Sequence, residues 1–141
     1  MSNERERRDQ ATEIIGLFAA INRRYAQEAE AAASAHGLTL MQAKALLAAQ
    51  EPIVTRRIAD QLHAEPSNIT AIIDKLQERG LVERRLDPDD RRVRLIAATE
   101  EGKRVGADLR ARMPFAGQPL RRLDDNQRAQ LRDLLAAMLA E

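Results

Sequence analysis

Residues 66–98, PSNITAIIDKLQERGLVERRLDPDDRRVRLIAA, contain the pattern that decides the fold. Pro66 suits the first position of a helix, where its missing N–H costs nothing, and isoleucine and leucine then recur at helical spacing. Gly80 ends that helix. Two short strand-like runs, 81–86 and 92–97, flank a DPDD turn. The stretch predicts a helix followed directly by a β-hairpin with a charged tip.

Two shorter helices are predicted upstream of this stretch. Thr39 and Gln42 form a capping box for a helix that ends before the Glu51-Pro52 pair. Residues 53–54 are a short extended patch, and Thr55 is expected to be the N-cap of a helix that ends in a turn before Pro66. Two helices joined by a tight turn and followed by a hairpin are typical of a winged helix-turn-helix.

Both ends of the chain are predicted to be helical. A long amphipathic helix runs from Asp9 to about Ala35. Thr99 caps the helix after the hairpin, and Asp124 with Gln127 forms a capping box for the last one. The stretch between those two helices is interrupted by Pro114, Gly117 and Pro119.

We therefore predict a mainly α protein with a small β-hairpin wing, in which N- and C-terminal helices serve dimerisation. The winged helix-turn-helix lobe covers residues 38–98, and the helical dimerisation region covers 1–37 and 99–141. Apolar faces on 14–25 and 131–138 are more than one small lobe can cover, which favours a homodimer.

Composition excludes several classes of function. The 141 residues contain no Cys, so disulfides and thiolate zinc sites are ruled out, and the two His have no ligand-spaced partner. We expect no metal site and no cofactor. With no convergent nucleophile and base and no glycine-rich phosphate loop, we expect no catalytic residues and no enzyme activity. A charged N-terminus and the lack of a long apolar run predict a cytoplasmic protein without a membrane partner.

The net charge of +1 leaves nucleic-acid binding undecided, so the spacing of polar residues must carry that argument. Five residues of the predicted recognition helix lie outside its apolar stripe and suit contacts to base edges, a thymine methyl or phosphates. They are Ser67, Asn68, Thr70, Ala71 and Lys75. Asp74 would repel DNA and is expected to face protein.

The hairpin concentrates arginines at or near a turn: Arg84, Arg85, Arg91, Arg92 and Arg94. A narrow minor groove favours an inserted guanidinium, which Asp87, Asp89 or Asp90 could orient. Taken alone, such a charge run is more often a solvated, salt-bridged hairpin. Its position directly after the predicted helices favours DNA instead, and the arginines predicted to contact DNA are Arg84, Arg91 and Arg92.

These segments resemble the DNA-binding core of the multiple antibiotic resistance regulator (MarR) family. The resemblance is carried by TRRIADQLH, PSNITAIIDKLQERGLVERR, the wing tip DPDDRR and the TEEG that opens the next helix. It implies that Ser67, Asn68 and Thr70 enter the major groove and that Lys75 contacts the DNA backbone. It also implies that Asp90 supports the wing and that Arg92, with Arg91 beside it, is the minor-groove finger.

By the same resemblance, the function is that of a DNA-binding transcriptional regulator, a repressor, that binds a pseudo-palindromic double-stranded operator as a dimer. A small phenolic or carboxylate effector is expected between the dimer helices and the lobe. The candidates for its site are Arg23, Arg24, Tyr25 and His36. The alternative is a winged-helix module that binds protein rather than DNA, and the arginine-rich wing tip distinguishes the two.

Overall fold

The computed structural model describes residues 2–116 and 118–141. The elements are α1 (Ser2–Ala35), α2 (Leu40–Ala48), α3 (Thr55–Leu62), α4 (Pro66–Glu78), β1 (Val82–Leu86), β2 (Arg94–Ala98), α5 (Glu100–Ala111), a 3-10 turn (Pro114–Ala116), α6 (Gln118–Arg121) and α7 (Asp125–Leu139). The predicted mainly α fold with a β-hairpin wing is confirmed.

Local capping explains where several helices begin. The hydroxyl of Thr39 accepts a hydrogen bond from the Gln42 amide at 3.1 Å, and the Gln42 side chain accepts from the Thr39 amide at 3.0 Å. Asp124 and Gln127 repeat this box at α7, with distances of 2.8 and 2.9 Å. Thr99 caps α5 by accepting from the Gly102 amide at 3.0 Å. These three predicted caps are confirmed. Each cap stabilises its helix, because it satisfies backbone N–H groups that the first helical turn leaves without a partner.

Two predicted helix starts are wrong. The N-cap of α3 is Val54, and Thr55 is already the first helical residue, so its hydroxyl makes no capping bond. The first helix begins at Ser2 rather than Asp9. Residues 2–8 lack the apolar periodicity used to place helices, yet the Glu and Arg residues at 4–8 are good helix formers, and Glu4 pairs with Arg8 across one turn at 3.8 Å.

The winged-helix core forms around α4. The antiparallel strands pair from Val82 with Ala98 to Leu86 with Arg94, and Ile53 adds an isolated bridge to Ile96. Ile69, Ile73 and Leu76 of α4 have no exposed surface. They pack in one cluster with buried side chains of the neighbouring elements, which include Leu46, Ile58, Leu81, Ile96, Val105 and Leu109. This packing fixes one face of α4 inside the lobe and leaves the other exposed.

The chain divides into two compact units, and each is described by itself. Unit 1 comprises residues 1–25 and 114–141, and unit 2 comprises 26–113. These boundaries differ from the predicted lobe of 38–98, because the end of α1 and the whole of α5 pack on the winged-helix core. The dimerisation role of the two chain ends stays a prediction.

Unit 1 exposes large apolar side chains, most of them on α1 and α7. Those at least two-fifths exposed are Ile14, Ile15, Leu17 and Ile21 of α1, Leu120 of α6, and Leu134, Met138 and Leu139 of α7. Leu139 is the most exposed, at 83%. Such a concentration of apolar surface is typical of an interaction face.

Candidate nucleic-acid interface

The exposed face of α4 carries the polar residues singled out in the sequence. Ser67, Asn68, Thr70, Ala71 and Lys75 are all exposed. The Thr70 hydroxyl donates to the Pro66 carbonyl at 3.1 Å, and the Lys75 ammonium lies 3.8 Å from the Glu78 carboxylate. One continuous helical face thus presents short donors and acceptors, a methyl group and a flexible cation, which are the groups suited to a major groove.

The turn between α3 and α4 sets the angle of that face. His63 adopts a left-handed conformation with φ of 53°, and the Ala64 amide donates to the Ala59 carbonyl at 3.0 Å. Glu65 is the N-cap of α4 and makes no side-chain capping bond. The first turn of α4 therefore presents its Ser67 and Asn68 side chains next to the positive end of the helix dipole.

At the wing tip, Asp90 holds Arg92 in a defined geometry. Its Oδ1 accepts from the backbone amide of Arg92 at 3.1 Å and from Nε at 3.2 Å, while Oδ2 accepts from the guanidinium NH2 at 3.3 Å. The hydrogen bond from the Arg92 side chain, followed by the one from its amide, lowers the pKa of Asp90 below 3.8. Arg92 itself is 90% exposed. Asp90 is thus the acid, among the three that the sequence left open, that orients the arginine.

Arg84, one of the predicted DNA contacts, fastens the base of the wing to α4, and its contact with DNA stays a prediction. Its NH2 group donates to Asp74 Oδ1 at 2.6 Å, and its NH1 group donates to the Gln77 side chain. Asp74 therefore faces protein, as expected from its charge. The sequence did not indicate that Arg84 is the partner, although Asp74 and Gln77 lie three residues apart on one helix face, a spacing that could have revealed it. Arg91 is exposed at the tip.

The four effector candidates belong to both compact units, and their shared role in a site stays a prediction. Arg23, Arg24 and Tyr25 are exposed on α1 in unit 1, whereas His36 belongs to unit 2. There the His36 Nε2 lies 2.6 Å from Asp108 Oδ2. Hydrogen bonds from Arg112 and then from His36 lower the pKa of Asp108 below 3.8.

Arg24 contributes to a cavity of about 380 Å³ within unit 1. The Arg24 guanidinium carbon lies 4.7 Å from the centre of the Phe115 ring. The other lining residues are Ile21, Gln118, Pro119, Arg122 and Leu123. Sequence reasoning missed Phe115 and Arg122, because the interrupted stretch around residue 117 shows no helical period. Two cations and an apolar wall suit a planar organic anion.

In the residues that the structure describes, no helix is long and apolar enough to cross a membrane. Over the same residues, no group of three or more His, Asp or Glu side chains is placed to hold a metal ion.

Residues 39–93 match the sequence model of the MarR family. Among curated proteins, the uncharacterized HTH-type transcriptional regulator YhbI of Bacillus subtilis (strain 168) is 32% identical over 83 residues, which is 58% of this chain. This match spans only about half, 54%, of the length of YhbI.

Two solved structures match over nearly the whole chain. CouR from Rhodococcus jostii RHA1, bound to p-coumaroyl-CoA, is 34% identical with a TM-score of 0.76, and the match covers 91% of this chain and 92% of CouR. A MarR-family transcriptional regulator from Rhodococcus sp. RHA1 is 33% identical with a TM-score of 0.67, over 91% of this chain and 93% of the other. With the family's sequence pattern and its fold present in one polypeptide, the chain belongs to the MarR family of transcriptional regulators.

Proposed function

We propose that this protein is a repressor that binds a specific double-stranded DNA operator, with α4 in a major groove and the wing in the adjacent minor groove. The observation that carries the proposal is the Asp90–Arg92 geometry. The Asp90 carboxylate accepts hydrogen bonds from the backbone amide of Arg92 and from one edge of its guanidinium, while nine-tenths of the arginine side chain stays in solvent. An exposed ion pair of this kind adds little to the free energy of folding. An oriented cation is, however, attracted by the negative potential of a narrow minor groove.

The contacts of Arg84 support a joint role for α4 and the wing. Because Arg84 binds two residues of α4, the wing base and the recognition helix are held at a fixed separation. A rigid pair of elements suits two neighbouring grooves, since the ordering cost is met before DNA is bound. A module that binds protein would have no comparable need for an oriented arginine at its tip.

A selection from a pool of random DNA duplexes tests the proposal, with footprinting on upstream regions of the source genome as its counterpart. We expect one enriched motif with two half-sites about one helical turn, roughly 10 base pairs, apart. The matched control is the Ser67→Ala, Asn68→Ala double variant, which should fold normally and lose the enrichment. An unenriched pool with the folded wild-type protein would favour the protein-binding alternative.

We also propose that the regulator acts as a homodimer through the apolar faces of α1 and α7, and that a small phenolic or carboxylate effector weakens DNA binding. The cavity around Arg24 supports the chemistry of this effector, because its cations match a carboxylate and its apolar wall matches an aromatic ring. Its volume lies within the usual range for small-molecule sites. The solved CouR carries an aromatic acyl thioester, which makes phenolic acids reasonable first probes.

Calorimetry with p-coumarate and p-coumaroyl-CoA tests the effector. Linkage requires that a ligand which weakens operator binding is itself bound more weakly in the presence of operator, by the same factor. Arg122→Gln should lower ligand affinity and leave operator affinity unchanged. Equal ligand affinity with and without the selected operator would remove these compounds as regulators of DNA binding.

A further inference from the structure

The β-hairpin wing has two faces, and its register assigns each strand arginine to one of them. Side chains alternate along a strand, and residues directly opposite each other in an antiparallel pair share a face. Arg84 lies on the same face as Leu86, two residues further along β1, and Arg94 pairs directly with Leu86. Arg85, between Arg84 and Leu86, lies on the opposite face. The whole hairpin belongs to unit 2, together with α4.

The face that carries Arg94 is the one turned toward the recognition helix. Arg84, nearer the base of the wing on this face, donates to the side chains of Asp74 and Gln77 on α4. In the proposed complex, α4 lies in a major groove and Arg92 lies in the adjacent minor groove, so one sugar–phosphate strand separates the two. Arg94 therefore lies on the side of the wing that faces this strand.

The distance between Arg94 and the wing tip matches the width of a minor groove. Arg94 follows Arg92 by two residues, so their Cα atoms are at most about 7 Å apart. A minor groove is about 6 Å wide, and phosphates border it on both sides. When Arg92 is inserted in the groove, Arg94 is thus placed beside a bordering phosphate. A guanidinium suits this partner, because its N–H groups form charge-assisted hydrogen bonds with phosphate oxygens.

The charge of Arg94 is available for such a contact. Asp90 binds Arg92, and the Glu83 carboxylate lies 3.8 Å from the Arg85 guanidinium. Within the residues that the structure describes, the exposed Arg94 has no hydrogen-bond or ion-pair partner for its side chain. An external anion would therefore not have to displace an internal carboxylate from it.

Leu86 provides an apolar surface beside the stem of Arg94. The Asp87 amide donates to the Val93 carbonyl at 2.9 Å, which makes the next pair toward the tip a hydrogen-bonded one. Because the two kinds of pair alternate, Leu86 and Arg94 form the closer, non-hydrogen-bonded kind, with Cα atoms about 4.5 Å apart. Leu86 is 48% exposed. The methylene groups of an arginine cover apolar surface of this kind while the charged head stays in water.

We propose that Arg94 binds a phosphate of the strand between the two grooves and so holds the wing in position without reading base sequence. Phosphate contacts fix the orientation of a protein on the duplex, whereas contacts to base edges give specificity. This inference rests on the proposed DNA binding. It adds a contact to the three wing arginines that the sequence predicts, which are Arg84, Arg91 and Arg92.

Fluorescence anisotropy with the selected operator and with an unrelated duplex tests the contact. Arg94→Gln removes the positive charge, and Arg94→Lys keeps it. Arg85→Gln is the matched control, because it removes one exposed positive charge from the opposite face of the same hairpin. Circular dichroism establishes that each variant is folded.

We expect Arg94→Gln to bind both duplexes more weakly by the same factor, about fivefold for each bound lobe at 0.15 M salt. The slope of log K against log salt should become shallower by about 0.9 for each bound lobe. Arg94→Lys should keep most of this slope, because an ammonium also binds phosphate as a point charge. Arg85→Gln should stay close to the wild type in affinity and in slope.

Operators in which one phosphate is replaced by a neutral methylphosphonate locate the contact. At one position in each half-site, on the strand between the grooves, the wild type should lose affinity and Arg94→Gln should lose none further. The proposal is overturned if Arg94→Gln matches Arg85→Gln in affinity and slope, or if Arg94→Gln loses further affinity at every position. A loss confined to the selected operator also overturns it, because Arg94 would then read base sequence. A wild-type protein that selects no operator is a failure of the proposed function instead.

Discussion

Arg92 is bound to Asp90 by its backbone and by its side chain, and yet it leaves almost its whole surface to solvent. The sequence could predict an acid–arginine pair at the turn, because both residue types cluster there. The residue types in the turn could not select Asp90 over Asp87, because that choice depends on the turn geometry, and only the resemblance to the MarR family indicated Asp90. The carboxylate of Asp87 instead accepts from the amide of Asp89 at 2.8 Å.

Replacing Arg92 by Ala should leave folding intact, since an exposed tip residue usually changes stability by no more than about 0.5 kcal/mol. Specific DNA affinity should fall by roughly 1–3 kcal/mol, and the slope of log K against log salt should become shallower by about 0.9 if one phosphate equivalent is lost. Anisotropy titrations over a range of salt concentrations measure both the affinity and the slope. Arg110→Ala is the matched control, because it removes one exposed arginine from α5, outside the wing. Unchanged affinity and slope would show that the wing does not contact DNA.

The titration of Asp90 provides a check that needs no DNA. Because Arg92 stabilises the ionised form, the pKa of Asp90 is lowered, and the pair persists as the pH falls until it passes below the ordinary carboxyl value of 3.8. In Arg92→Ala, the pKa of Asp90 should rise toward that ordinary value. Carboxyl-carbon NMR follows the titration directly, and an Asp90 that titrates identically in both proteins would contradict the pairing in solution.

At the level of the elements, the base of the wing and the start of α5 approach more closely than any side chain allows. A methyl group on Gly102 would lie 1.9 Å from the carbonyl oxygen of Leu81. Thr99 reinforces this approach by donating to the Gly80 carbonyl at 2.6 Å. Two residues of the TEEG segment therefore have separate structural roles: Thr99 caps α5, and Gly102 is required because no larger residue fits against Leu81.

Gly102→Ala should therefore separate α5 from the base of the wing and lower the free energy of unfolding by about 1–3 kcal/mol, as overpacking commonly does. Thermal unfolding followed by circular dichroism measures the change. Gly16→Ala is the control, because a methyl there meets nothing within 4 Å and should strengthen α1 slightly. Equal melting temperatures for Gly102→Ala and wild type would mean that the backbone at Leu81 yields at little cost.

The start of a helix was predictable where a side chain hydrogen-bonds to a backbone amide of the first turn. Other helix starts were predicted less well. Thr39 and Asp124 cap as expected, since a capping box needs only two residues three apart. Thr55 does not, because Val54 already has the extended conformation of a cap and the hydroxyl is one residue too late. The contacts of Arg84 were predictable only in part: the spacing of Asp74 and Gln77 marks a site for a cation on α4, but which wing arginine binds there depends on packing between elements.

At the scale of the whole molecule, the exposed apolar residues of α1 and α7 favour a dimer. We expect the wild-type protein to sediment as a dimer at micromolar concentration and its melting temperature to rise with concentration. Leu134→Glu with Met138→Glu should give a monomer whose melting temperature is independent of concentration. Leu86→Glu, at an exposed apolar residue of the wing, is the control and should remain dimeric. A monomeric wild type would contradict the proposed assembly.

Tyr25 determines the intrinsic fluorescence of the protein. The chain has one Tyr and no Trp, so its intrinsic fluorescence comes from a single residue on α1, in unit 1, that is 38% exposed. Association through α1 would change the solvent around that ring, and a phenolic compound bound nearby would quench it. The unlabelled protein thus carries its own reporter, and a tryptophan placed elsewhere by mutation would add a second, spectrally separate signal.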